Sequence, residues 1–150
     1  MKKYFLLFAI LCGMSAIYAQ DNQVNKNAPQ ITFDDRFITP EGIIYDYGTI
    51  EKDSDGLCYF VFTNTGKEPL IIEKASSSCG CTVPNPPQYP ILPGQRDSIS
   101  VKYSTNRVGP INKTVTIMSN AQNSNIMMRI KGQVADNSTT PNEVGIVPKQ

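Results

Sequence analysis

Apolar and polar residues alternate along most of this chain with a period of two, the repeat of a strand with one face on a core and one on water. In residues 98–103 the alternation puts Ile99, Val101 and Tyr103 on one face and Ser98, Ser100 and Lys102 on the other. Residues 57–63 gather Cys58, Phe60 and Phe62 on one face, with bulky β-formers opposite. Residues 113–118 direct Val115 and Ile117 inward, and Ile126, Met128 and Ile130 lead a longer run towards Val134. With residues 31–33, 43–47 and 70–75, these make about seven strands. Asn64-Thr65-Gly66-Lys67 and Pro93-Gly94 supply turns between them. No stretch carries the apolar repeat of an amphipathic helix.

Pro84, Pro86, Pro87, Pro90 and Pro93 fall close together. Such a stretch lacks the amide donors of a central strand and reads as a stiff connection, not a ladder. About seven short strands without helices over residues 30–135 predict an all-β fold, an immunoglobulin-like two-sheet sandwich, with a small β-barrel as the alternative. Cys58 has no cysteine partner in the last strand, so the inter-sheet disulfide of antibody-type domains is not expected, and Cys58 reads as a buried thiol. Residues 20–29 and 136–150 are rich in Asn, Ser, Thr and Pro with little to bury, and read as a flexible linker and a flexible tail.

The amino terminus changes the picture of where this domain resides. Lys2 and Lys3 precede an apolar run from Tyr4 to Leu11, and Ala19-Gln20 follows as a cleavage junction. Residues 1–19 therefore read as a secretory signal peptide, since the run falls short of the roughly 20 apolar residues that span a bilayer. The expected localisation is extracytoplasmic, periplasmic or secreted, with no transmembrane segment in the mature chain. Lipidation at Cys12 is disfavoured because Leu11, just before it, is bulky. Loss of Lys2 and Lys3 leaves 12 basic against 13 acidic side chains. A nearly neutral chain lacks the basic footprint of a nucleic-acid binder. The 131 residues left are enough for one core and too few for two independent ones.

Chemistry concentrates at Cys79-Gly80-Cys81, in a chain with no histidine and no tryptophan. The absence of histidine removes Ser-His-Asp and Cys-His arrangements, and no phosphate-binding P-loop pattern appears. Asp34-Asp35 and Asp53-Ser54-Asp55 read as solvated turns, and Tyr89 as either an exposed contact or a cap on the core. On an extended strand, Cys79 and Cys81 share a face with α-carbons about 6.6 Å apart, near the upper limit for a disulfide. Gly80 can bend the backbone and bring them closer. Three readings stay open. The pair can be a structural turn or quiescent disulfide, a thiol-disulfide exchange site, or, as thiolates, a metal site in which Cys79 and Cys81 are soft ligands for Cu(I). Met118, Met127 or a second chain would have to complete the metal site, and two sulfurs without histidine do not make a zinc centre. No cofactor is expected.

Phe62-Thr63-Asn64-Thr65-Gly66, Pro69-Leu70 and Ile72, Ser78-Cys79-Gly80-Cys81-Thr82, Pro93-Gly94, and Ser119-Asn120 with Gly132 together resemble the bacterial family called domain of unknown function 1573. The Cys-Gly-Cys-Thr element is the specific part. The resemblance implies an extracytoplasmic Ig-like fold related to domains of the major-sperm-protein and hydin type, which act as protein-interaction modules. It brings no family-wide activity, so the function expected is that of a non-catalytic module with a protein partner in the cell envelope. Two departures from the family pattern are a Pro-rich insert at residues 85–90 and Gln95 in place of the acid that often follows Pro-Gly.

Overall fold

The computed structural model describes residues 25–136. The signal peptide, its cleavage near Ala19, Cys12, the first half of the 20–29 linker and residues 137–150 of the tail lie outside the described residues. Among the described residues nine strands form: β1 (Ile31–Phe33), β2 (Ile38–Thr39), β3 (Gly42–Glu51), β4 (Leu57–Asn64), β5 (Ile72–Ser77), β6 (Thr82–Asn85), β7 (Arg96–Tyr103), β8 (Gly109–Ser119) and β9 (Asn125–Ala135). A single 3-10 turn, Asp35–Phe37, joins β1 to β2.

The strands make two open sheets in the orders β1-β4-β7-β6 and β2-β3-β9-β8-β5. All neighbours are antiparallel except β3 and β9, which run parallel. The architecture is the two-sheet sandwich, not the closed barrel. The alternation read from the sequence places the inward faces: Cys58, Phe60 and Phe62 on β4, Ile99, Val101 and Tyr103 on β7, Val115 and Ile117 on β8, and Ile126, Met128, Ile130 and Val134 on β9 are all buried. Packing of the two inward faces removes this apolar area from water and supplies the main driving force for the fold. Phe33, Phe37, Tyr45 and Phe60 knit one end of the core, with Phe37 and Phe60 ring centroids 5.4 Å apart.

Two strands go beyond the expected set, and one of them corrects the reading of the prolines. β2 has only two residues, too short to leave an alternation signal. β6 takes in Pro84 and pairs it with Val101, so the proline-rich stretch begins as a strand. Edge position is the physical reason, because a proline there can turn its missing amide away from its one neighbour. The remainder of the stretch is a connection, touched by one bridge between Leu70 and Ile91.

Candidate functional site

β5 lies at the edge of one sheet and β6 at the edge of the other, so the chain between them turns the corner of the sandwich. Cys79-Gly80-Cys81 is that corner. β5 is held by β8 as far as Ser77, opposite Val115, and Ser78 adds a bond from its N–H to the Thr114 carbonyl at 2.9 Å. The chain then reverses, the Thr82 N–H donating to the Cys79 carbonyl at 3.3 Å, and the Ser104 N–H donating to the Cys81 carbonyl at 2.8 Å. β6 starts at Thr82, opposite Tyr103.

Within the corner Cys79 and Cys81 are joined as a disulfide, with S–S 2.03 Å and α-carbons 5.3 Å apart. The separation is below the extended-strand value, as a bend at Gly80 requires. Both cysteines are half-buried and Gly80 is exposed. Cys81 packs against the core cluster. The hydroxyl of Thr82, a residue 1% exposed, lies 3.6 Å from Cys79 Sγ and 3.9 Å from Cys81 Sγ. The Ser77 hydroxyl stands 2.7 Å from the Cys79 carbonyl oxygen and 2.5 Å from that of Thr82, bracing the reversal. Sequence reasoning named Thr82 only within the Cys-Gly-Cys-Thr element and gave it no role. Its inward position follows from its pairing with the inward Tyr103 at the start of β6, a strand the local pattern did not disclose.

The other predicted groups do not converge on this corner. Cys58 pairs with Val101 inside the sandwich and is a buried free thiol. Burial pushes its ionisation up to about 11. Asp34 is ion-paired with Arg96, and Asp55 with Lys102. The Lys102 ammonium holds the Asp55 carboxyl below the usual range, so these acids are satisfied surface groups. Tyr89 is 55% exposed and donates from its hydroxyl to Asp97 at 2.7 Å, so it does not cap the core. Met118 lies opposite Lys74 and Asn125, at the far end of β5 from the cysteines, and Met127 lies opposite Thr116. Among the described residues no three His, Cys, Asp or Glu side chains gather as a metal-binding group. Metal capture by Cys79 and Cys81 would first require their reduction to thiolates.

Two facing open sheets define an immunoglobulin-like β-sandwich. The PapD-like domain 7 of human CEP192 superposes with a TM-score of 0.60 at 9% identity, over 83% of this chain and 98% of that one. A protein of unknown function from Porphyromonas gingivalis W83 gives 0.59 at 13% identity over 72% of this chain, and this chain spans only 48% of that protein's length. The VesB protease of Vibrio cholerae gives 0.51 at 11% identity, over 70% of this chain and 31% of that one. At these identities the likeness is one of fold alone. The family model described as "Protein of unknown function (DUF1573)" matches residues 38–134, and the chain belongs to that family. No curated protein matches the sequence.

Proposed function

We propose that this protein is a non-catalytic, extracytoplasmic interaction module whose edge strand β5 takes up an extended segment of a protein partner in the cell envelope. One observation carries the reading. Of the four edge strands, β5 has six residues and no proline, while β1 has three, β2 two, and β6 four with Pro84 among them. Its charges, Glu73 and Lys74, and its register shift are confined to residues 72–74, so residues 75–77 keep the uncharged, regular edge that β-augmentation uses. The antiparallel ladder consumes the backbone groups of alternate residues. With Ser78 bonded to Thr114, the alternation leaves the amides of Ala75 and Ser77 on the open side. β5 and β6 belong to different sheets, so the strand that follows β5 does not pair with this edge.

The extracytoplasmic part of the reading is supported by the signal-peptide pattern of residues 1–19 and by a disulfide of the kind that persists in oxidising compartments. No helix among the described residues is long and apolar enough to cross a membrane. Amide hydrogen exchange tests the edge. When a partner recovered from an envelope fraction is added, the Ala75 and Ser77 amides should slow by about 10-fold or more, as newly bonded strand amides do. Protection that appears elsewhere, with these two amides unchanged, refutes β5 as the docking edge.

A further inference from the structure

We propose that Cys79–Cys81 is an exchangeable disulfide that accepts two electrons from a protein dithiol, with Cys79 as the sulfur attacked and Cys81 as the leaving group. The inference goes beyond the edge-strand reading and needs only the corner itself. A bond that closes a three-residue loop adds little to the fold. β5 and β6 are each held by their own ladders, to β8 and β7, so opening the bond leaves both strands in place.

The two sulfurs are not equivalent. Cys81 packs against the core, and its carbonyl is tied to the Ser104 N–H. Cys79 is outside that cluster. An incoming thiolate therefore meets Cys79 Sγ without the core packing that covers Cys81. The buried Thr82 hydroxyl is within reach of either sulfur, and its one proton can follow whichever becomes anionic.

In the reaction, a thiolate of the partner attacks Cys79 Sγ. The Cys79–Cys81 bond breaks, and its electron pair departs on Cys81 Sγ, which accepts a hydrogen bond from Thr82 and then a proton from water. The partner's second thiol loses its proton to water and attacks the partner sulfur of the mixed disulfide. Cys79 leaves as a thiolate and is protonated in turn. The partner dithiol is oxidised to a disulfide, and Cys79 and Cys81 are reduced to thiols. A low demand for native stability and an accessible sulfur are the marks of labile disulfides, as opposed to structural ones.

The test uses the folded, oxidised protein with reduced glutathione as the probe, because its first attack gives a mixed disulfide that an early quench traps before a second glutathione resolves it. Quenching with iodoacetamide followed by peptide mapping should find glutathione on Cys79 and the alkyl group on Cys81, at about 10-fold or more over the reverse arrangement. Opening should be no slower than in an oxidised peptide of residues 78–82. Thr82→Val should slow it by about 5- to 10-fold, the loss expected for one hydrogen bond to a developing anion, and Thr82→Ser should restore it. Glutathione on Cys81, equal labelling of both, opening slower than in the peptide, or a Thr82→Val rate equal to wild type each overturns the assignment. Mapping of the wild-type protein decides the attacked sulfur even if the Thr82 variants do not fold.

Discussion

At Cys58, burial sets chemistry as well as packing. The side chain is 1% exposed between Phe60 and the sheet opposite, and desolvation disfavours its thiolate. Nearby, the Tyr47 hydroxyl donates to the Gly56 carbonyl at 2.6 Å, and burial pushes its ionisation up as well. The folded state thus holds the Cys58 proton where the unfolded chain has released it. The associated stability is fully present below pH 9.0 and is lost as the pH rises towards about 11. The melting temperature should therefore fall between these limits, and fall less steeply in Cys58→Ala. Identical pH slopes in the two proteins would show that the thiol does not contribute. The burial of Cys58 was legible in the alternation with Phe60 and Phe62, whereas its contact with Tyr47 was not, because it joins strands whose relative placement no local pattern encodes.

Between residue and strand, the turn after β4 acts as a lock on β1. Asn64 is fully enclosed; its side-chain nitrogen donates to the carbonyls of Glu68 and Ile91 at 2.8 and 2.9 Å, and its oxygen accepts from the N–H groups of Gln30 and Gly66 at 3.3 and 3.0 Å. Gly66 lies so close to the incoming chain that an added Cβ would sit 2.3 Å from the Ala28 carbonyl oxygen and 2.4 Å from the Pro29 α-carbon. Both partners are backbone, so neither can rotate away. Gly66→Ala should cost about 1–3 kcal/mol in urea denaturation, with amide exchange at Ile31 accelerating more than exchange in β9. Equal stability of the two proteins would remove this close approach from the account. From the sequence, Asn64-Thr65-Gly66 was legible as a turn by its residue types. Its role as a clamp was not, since its partners come from 34 positions before and 27 after. β6 escaped in a similar way: proline density argued against a strand, and only an edge position, which is a property of the whole sheet, makes Pro84 compatible with one.

For the molecule as a whole, the period-two pattern defined which side of β4, β7, β8 and β9 is buried, and this sufficed for the two-layer class. It could not supply the parallel pairing of β3 with β9, with Ile43 opposite Met128 and Ile50 opposite Val134, because contacts between chain positions so far apart leave no local signature. Nor could it supply the sheet switch at residues 78–82, although the cysteines that mark it were legible from their spacing. That switch separates two views of the disulfide. If the bond were a staple holding the two sheets together, its loss would release β5 and β6 and expose core residues such as Ile72 and Ile117. The ladders argue otherwise, since each strand remains paired with its own sheet and the closed loop has only three residues. On loop entropy its removal should cost about 1.6 kcal/mol, a drop of roughly 5–10 °C in melting temperature for a domain of this size. The Cys79→Ser, Cys81→Ser double variant should therefore fold with unchanged strand content and one cooperative transition, by circular dichroism and calorimetry. Retention of the cooperative fold removes the staple role, whereas a loss of about 4 kcal/mol or more, or a second transition, would make the disulfide a structural staple of the sandwich.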